Sequence, residues 1–369
     1  MPHDAAVRRR AVAIIGTGFM GRVHSRAAEV AGGRVVGVVG SSLERAEAAR
    51  PDLRAEKAFP TVTDLLDAVD VDVVHVCTPN DLHAEMTHAA IAAGAHVVCE
   101  KPLSTDAETA GAMAAAADAA GVVAGVPFVY RFHPMVREAR ERVRRGEIGT
   151  VVLAHGSYLQ DWMLLPSDDN WRVDAERGGP TRAFGDIGSH WCDLLEFVTG
   201  DRITKVSAQS STIHPSRGST LEGPVDTEDA VVLQFATHAG AIGSAVISQV
   251  SAGRKNRLLL EVSGTAGTFS FDQENPELLW YGGRERSSVL VRDPDTLTPE
   301  AARFARVPAG HPQGYQDCFD HFVADTYAAI DDGTVPDGLP TFADGARAAR
   351  IADAVVTSAA KQVWIDVVP

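Results

Sequence analysis

The apolar run Ala11–Ile15 leads directly into Gly16-Thr-Gly18-Phe-Met-Gly21, and helix-compatible sequence follows from Arg22 to Ala31. Glycines at this spacing allow a tight turn (Gly16), a close approach of the backbone to a pyrophosphate (Gly18) and close helix–strand packing (Gly21). The helix N-terminus that follows supplies amide donors for an anion. Few folds begin this way, and the expectation is a dinucleotide-binding α/β domain.

The next hundred residues continue the alternation. Strands are predicted at Arg34–Val39, Val71–Cys77, Ala95–Cys99 and Val122–Tyr130, with helices at Ser41–Ala49 (Ser42 as N-cap), Asp81–Ala93 and Thr105–Ala120. Near-continuous Val/Ile strands separated by helices imply a parallel sheet covered on both faces. The fold class is thus α/β, a doubly wound Rossmann sheet over residues 1–130. After Tyr130 the pattern changes. A charged helix, Met135–Arg145, precedes long strands at Val151–Leu159, Lys205–Thr212, Ala230–Phe235, Ala241–Gln249, Arg257–Ser263 and Gly267–Phe271. Helices are predicted at Asp186–Val198, Tyr315–Ile330 and Phe342–Lys361, and surface loops at Pro215–Pro224 and Asp293–Pro299. Residues 131–369 therefore read as an α+β domain with one large, mainly antiparallel open sheet.

Composition excludes several classes of function. Across 369 residues, 34 Lys and Arg face 49 Asp and Glu, a net charge of −15 that disfavours nucleic acid and anionic membrane partners. The run Arg8-Arg9-Arg10 reads as a solvated flank of the first strand. No apolar run approaches the roughly 18 residues of a spanning helix, and the N-terminus lacks the order of a signal peptide. Cys77, Cys99, Cys192 and Cys318 are widely separated, which points to a reducing cytoplasm rather than disulfides or structural zinc. The scattered His75, His88, His96 and His155 show no metal-ligand spacing, so no metal is expected.

The second strand ends in Gly40-Ser41-Ser42-Leu-Glu-Arg45, without the carboxylate that would grip the adenosine ribose of NAD. Two hydroxyls and Arg45 suit a 2′-phosphate instead, so NADP is favoured over NAD; the bland alternative is an N-cap and an exposed helix residue. Phe19 and Met20 are counted with the glycine loop.

Thr78-Pro79-Asn80, His83 and Glu100-Lys101-Pro102, taken with the glycine loop, resemble the glucose–fructose oxidoreductase / inositol dehydrogenase / MocA family. The resemblance extends through the chain, since RAFGDIGSHWCDL is similar to the family's Asp-x-x-x-His catalytic segment, here Asp186 and His190. It implies that Thr78, Pro79 and Asn80 line the dinucleotide, Glu100 binds a ribose hydroxyl and Lys101 faces the reacting carbon. The family often has a glycine run before the Asp, whereas Gly178-Gly179 here is followed by Pro-Thr-Arg-Ala-Phe. Independently of the family, Lys101 ends a parallel strand at the edge where open α/β sheets bind ligands. Asp186 and His190, four apart, would share a helix face, so that the carboxylate orients the imidazole for proton exchange. Asp193 is a further candidate for that face.

Tyr158, Gln160 and Trp162 alternate along a predicted strand and would face the same way, as aromatic and amide partners of a pyranose ring. Tyr130 and Arg131 are expected to reach the same cleft. Trp171 and Arg172 are expected near the cofactor, and within the family YLQDW followed by WR resembles the levoglucosan-type sugar dehydrogenases. The expected activity is NAD(P)-dependent oxidation of a secondary alcohol of a sugar, anhydrosugar or polyol, or the reverse reduction, with His190 or Lys101 exchanging the proton. Glycoside cleavage through transient oxidation and a non-catalytic dinucleotide sensor are the alternatives. Apolar residues on both faces of the second-domain strands, with helices enough for one, predict a homodimer or homotetramer.

Overall fold

The computed structural model describes residues 9–218 and 223–368; Arg8 and residues 219–222 of the predicted surface loop lie outside them. Six parallel strands, β1 (Arg10–Ile15), β2 (Gly33–Val39), β3 (Lys57–Phe59), β4 (Val73–Val76), β5 (His96–Cys99) and β6 (Ala124–Gly125), form a sheet in the order β3-β2-β1-β4-β5-β6. Helices α1 (Phe19–Val30), α2 (Leu43–Ala49), α3 (Val62–Ala68), α4 (His83–Ala92) and α5 (Ala107–Ala120) connect them. Local chemistry sets their ends. Ser42 Oγ accepts the Arg45 N–H at 3.2 Å at the start of α2, and Asp106 Oδ1 accepts the Thr109 N–H at 2.7 Å before α5. The strand order reverses between β1 and β4, which brings the loops after β1, β4 and β5 to one edge.

Two differences from the predicted elements have plain causes. β3 and α3 are too short to show a period in the sequence, although Thr61 accepts from Asp64 N–H as an N-cap. The predicted strand Val122–Tyr130 pairs only at Ala124–Gly125. Beyond it Val126 donates to Pro340 O, Pro127 has no N–H to give, and Val129–Phe132 coils into a 3₁₀ turn.

The second sheet has nine strands: β7 (Val151–Leu159), β8 (Ile203–Ser211), β9 (Ala230–Thr237), β10 (Ile242–Ser248), β11 (Arg257–Gly264), β12 (Thr268–Asp272), β13 (Leu278–Gly282), β14 (Ser287–Val291) and β15 (Ile365–Asp366). Their order is β14-β13-β12-β11-β7-β10-β9-β8-β15, antiparallel except for the pair β7–β10. The last two hairpin strands and β15 extend the predicted sheet. The helices of this half are α6 (Pro134–Arg144), α7 (Ala175–Gly178), α8 (Ser189–Thr199), α9 (Pro299–Ala302), α10 (Tyr315–Asp332) and α11 (Phe342–Lys361). α6, α8 and α11 cover one face of the sheet. α10 does not join them, as its sequence position suggested. Its Phe319, Phe322, Val323 and Tyr327 pack with Val12, Val23 and Ala27, so this late helix closes the first sheet instead. An apolar stripe at helical spacing fixes burial, not which sheet receives it.

Glycine 156, in the middle of β7, shows how tightly the second sheet and its helices fit. The Trp191 indole N–H of α8 reaches over it to donate to Leu259 O at 2.9 Å. A methyl group at 156 would overlap the Leu259 carbonyl and stand 2.9 Å from the indole nitrogen. Gly156→Ala is therefore expected to destabilise the protein by about 2 kcal/mol, within the range for overpacked cores, read as a lower urea midpoint. An unchanged midpoint would show that the slot is looser than the geometry indicates.

Candidate active site

Lys101 follows β5, and its Nζ lies 2.7 Å from Asp186 Oδ1 and 3.0 Å from the Asp186 carbonyl oxygen. Asp186 sits in a π-helical turn, Phe184–Gly188, that leads into α8. Gln249 Nε2, just past β10, donates to its other carboxylate oxygen at 2.8 Å, and Arg172 Nε approaches Oδ1 at 3.6 Å. Burial alone would raise the Asp186 pKa, but the charges of Lys101 and Arg172 hold it well below the usual carboxylate range. The expected Asp186–His190 bond is not made: both oxygens are engaged elsewhere, because the π turn departs from the α-helical spacing on which that expectation rested.

His190 lies in the same cleft among aromatic rings, with centroids 5.6 Å from Phe128 and 4.9 Å from Tyr130. Burial and then the neighbouring Lys101 charge push its pKa down to about 3, so it is neutral at physiological pH. Its Nδ1 has no partner in the protein.

On one side of His190 the hydroxyls of Tyr130 and Tyr158 are 2.5 Å apart, Tyr158 donates to Asn256 Oδ1 at 2.7 Å, and Asn256 Nδ2 donates to Tyr130 at 3.1 Å. Burial raises both phenols, Tyr130 to about 12, so they act as donors rather than bases. β7 ends at Leu159, so Gln160 and Trp162 do not continue the strand. They remain beside Tyr158 because Gln160 Nε2 donates to Asn256 at 2.7 Å and Trp162 Nε1 to Gln160 Oε1 at 2.8 Å. Arg131 is a correction. It is buried, forked on Asp193 with Nε at 2.8 Å from Oδ2, and bonded to Asp344 at 2.9 Å, so neither it nor Asp193 faces the cleft.

The nucleotide edge is formed by the loops after β1, β2 and β4. Side chains at Gly16 and Gly21 would overlap the Cys77 and Gly16 carbonyls, whereas one at Gly18 would meet nothing within 4 Å. The loop thus packs as closely as backbone allows and leaves room over the uncapped N-terminus of α1, the cradle a pyrophosphate needs. Phe19 is exposed there, and Met20 Sδ lies 4.0 Å from the Tyr315 hydroxyl of α10. Ser41 and Arg45 are exposed and joined at 3.3 Å, while Ser42 is occupied as the α2 cap. Thr78 Oγ1 is buried and unpartnered, and Pro79 precedes the turn Asn80–Leu82. Asn80 Nδ2 donates to Gly178 O at 2.9 Å, tying the β4 loop to the second half. Trp171 and Arg172 form a 3₁₀ turn in which the guanidinium lies 4.4 Å over the indole.

His83 is buried, its ring taken up by the backbone of two loops. Its two ring nitrogens contact Pro102 O at 2.9 Å and Thr78 O at 3.0 Å, clamping the two loops to each other. Burial lowers its pKa against the pull of those carbonyls. Glu100, expected on a ribose, is buried and pairs with His24 Nε2 at 2.9 Å.

Gln249, Asn256, Tyr315 and His24 were not anticipated. Gln249 and Asn256 stand out only as amides at the ends of apolar strands; His24 and Tyr315 are brought in by α1 and α10. Among the described residues, no group of three or more His, Cys, Asp or Glu is arranged to hold a metal ion, and no helix is long and apolar enough to cross a membrane. Native interiors pair nearly all buried polar atoms. Thr78 Oγ1, His190 Nδ1 and Gln249 Oε1 are buried without a hydrogen-bond partner in residues around this cleft, and Arg172 Nε makes no hydrogen bond beyond its 3.6 Å approach to Asp186, as in a site completed by ligands.

Comparison with known proteins places the fold in a family. Residues 10–128 match the model of the oxidoreductase family with NAD-binding Rossmann fold, and residues 136–270 that of the GFO/IDH/MocA C-terminal domain. The chain is 32% identical to levoglucosan dehydrogenase of Pseudarthrobacter phenanthrenivorans over 96% of its own length and 97% of that protein's. It is 33% identical to 1,5-anhydro-D-fructose reductase of Ensifer adhaerens, over 76% and 83% of the two chains. The structure of a levoglucosan dehydrogenase in complex with NADH and levoglucosan superposes with a TM-score of 0.91 at 32% identity, covering 98% of this chain and 100% of that one. An oxidoreductase domain protein from Kribbella flavida gives 0.90 at 36% identity, again covering 98% and 100%. The glycine cradle, the lysine at the end of β5 and the Asp186–His190 segment thus belong to a chain of the GFO/IDH/MocA oxidoreductase family.

Proposed function

We propose that this chain oxidises a secondary alcohol of a sugar, anhydrosugar or polyol, or reduces the corresponding ketone, with a nicotinamide dinucleotide. The observation that carries the reading is the Lys101–Asp186 pair beside a neutral, unpartnered His190, at the edge where the glycine cradle opens. The residues fit the dinucleotide: Gly16, Gly18 and Gly21 with the α1 amides hold its pyrophosphate, and Thr78, Pro79 and Asn80 flank it. A bound nicotinamide would supply the acceptor for the hydride of the alcohol carbon, or its donor in the reduction. Lys101, held in place by Asp186, which Gln249 braces, donates a hydrogen bond to the substrate oxygen. His190, uncharged beside the lysine, accepts the hydroxyl proton as the carbonyl forms and gives it back in reduction. Tyr130, Tyr158, Gln160 and Trp162, tied to one another and to Asn256, present aromatic faces and fixed polar edges to the ring. Four free cysteines, three of them buried, agree with a reducing cytoplasm.

Lys101→Met and His190→Ala are each expected to lower turnover by at least about a hundredfold, while dinucleotide still binds in a fluorescence titration. Near-normal turnover in either variant contradicts the assigned roles.

Cofactor choice turns on Ser41 and Arg45, which are exposed and bonded to each other at the surface where a carboxylate is missing. The ratio kcat/KM is expected to favour NADP, and Arg45→Ala to weaken NADP more than NAD. A wild-type preference for NAD of about tenfold or more, some 1.4 kcal/mol, would overturn this.

The uncovered face of the second sheet exposes Val232 and Val246, opposite each other on β9 and β10, and Trp280 and Val289, opposite each other on β13 and β14. Apolar side chains set side by side on an open sheet face mark a protein interface, and a second copy about a two-fold axis is its simplest cover. Light scattering at micromolar concentration is expected to give two or four times the 39.1 kDa chain mass; a monomer mass contradicts the proposal.

A further inference from the structure

Beneath the glycine loop a second buried polar chain runs along the α1 and α10 face of the first sheet, and hydride transfer as described does not use it. Glu100, next to Lys101, is 5% exposed. Its Oε1 lies 2.9 Å from His24 Nε2 of α1, and its Oε2 accepts the backbone N–H of Lys101 at 3.1 Å. His24 Nδ1 is 3.0 Å from His75 Nδ1 of β4, and His75 Nε2 is 3.0 Å from the Tyr327 hydroxyl of α10. Both histidines have no exposed surface, and Tyr327 is 3% exposed. The Phe319 ring, 5.1 Å from His24, seals the chain on the α10 side.

Donor and acceptor counting gives the chain a direction. An ionised carboxylate only accepts, so His24 carries a proton on Nε2. With both imidazoles neutral, His24 Nδ1 is then a lone pair and His75 donates to it from Nδ1. That leaves His75 Nε2 to accept the Tyr327 O–H. Every contact is satisfied, and a fully satisfied buried network holds its members in one geometry. Burial opposes the ionised form of Glu100, but the hydrogen bond from His24 and the Lys101 charge hold its pKa below the ordinary carboxylate value.

We infer that His24 and His75 are positioning residues, anchoring Glu100 between α1, β4 and α10 so that its free oxygen fixes the backbone from which the Lys101 side chain reaches Asp186. Glu100 thus serves the lysine loop rather than the bound dinucleotide. The inference rests on the dehydrogenase reading only for its kinetic readout.

Two variants of the full-length protein separate the contacts. His24→Gln extends an amide nitrogen to the place of Nε2 and keeps the donor to Glu100. His24→Asn reaches only as far as Nδ1 and keeps a polar group toward His75. His24→Asn is expected to lower kcat about tenfold or more while the dinucleotide Kd changes less than about threefold, and His24→Gln to stay within about threefold of wild-type kcat. A loss confined to dinucleotide affinity, or His24→Gln as slow as His24→Asn, overturns the inference. A measurement without substrate keeps the two readings apart and also decides the matter if a variant does not fold. In ¹⁵N-histidine spectra of the wild-type protein, His24 is expected to carry its proton on Nε2, and its signal to move in Glu100→Gln. A His24 protonated on Nδ1 alone, or indifferent to that change, contradicts the anchor even if a sugar substrate is found; a wild-type protein inactive on every sugar, with these signals as expected, contradicts the dehydrogenase reading alone.

Discussion

The ion pair between Lys101 and Asp186 joins the two halves of the molecule at the point where both expose polar groups. Lys101 comes from the carboxyl edge of the parallel sheet and Asp186 from the turn that opens α8 against the second sheet. A buried pair of this kind contributes little net stability, since desolvating two charges offsets most of their attraction. Removing either partner strands a charge, so the pair requires the halves to keep their register. Asn80 on Gly178 and α11, which packs on both α5 and β8, hold that register from the flanks.

With the pair in place, the remaining chemistry follows from what surrounds it. Asp186 is kept ionised by its cations, His190 is kept neutral by burial beside a cation, and the tyrosines are kept protonated by an apolar wall. In the proposed mechanism Lys101, held by the ionised Asp186, and the neutral His190 divide the work of holding the substrate oxygen and taking its proton. The orphaned atoms of Thr78, Arg172, His190 and Gln249 mark where the protein leaves contacts for ligands to complete.

The parallel sheet, the glycine cradle and the lysine and histidine of the cleft were legible because each rests on local sequence: an apolar run, a spacing, a motif. Contacts that depend on non-local docking were not. Arg131 followed a strand-like stretch that ends at Pro127, and its guanidinium turns inward to Asp193 and Asp344. The bond from Asp186 to His190 assumed an α-helix, and one π turn redirected the carboxylate to Lys101. Tyr327 lies 252 residues from His75 and Tyr315 295 from Met20, and their helix reads equally well as cover for either sheet. Gln160 and Trp162 were placed together for the wrong reason, since Asn256 rather than strand alternation keeps them beside Tyr158.

The most direct test is a crystal structure of the ternary complex with reduced dinucleotide and a pyranose that the enzyme oxidises. The pyrophosphate should lie over Gly18. The reacting carbon should stand about 3–3.5 Å from nicotinamide C4, the separation of a near-attack geometry. Its hydroxyl should reach both Lys101 Nζ and His190, with Asp186 still on the lysine. A dinucleotide bound away from the glycine loop, or a hydroxyl turned from both Lys101 and His190, would contradict the account.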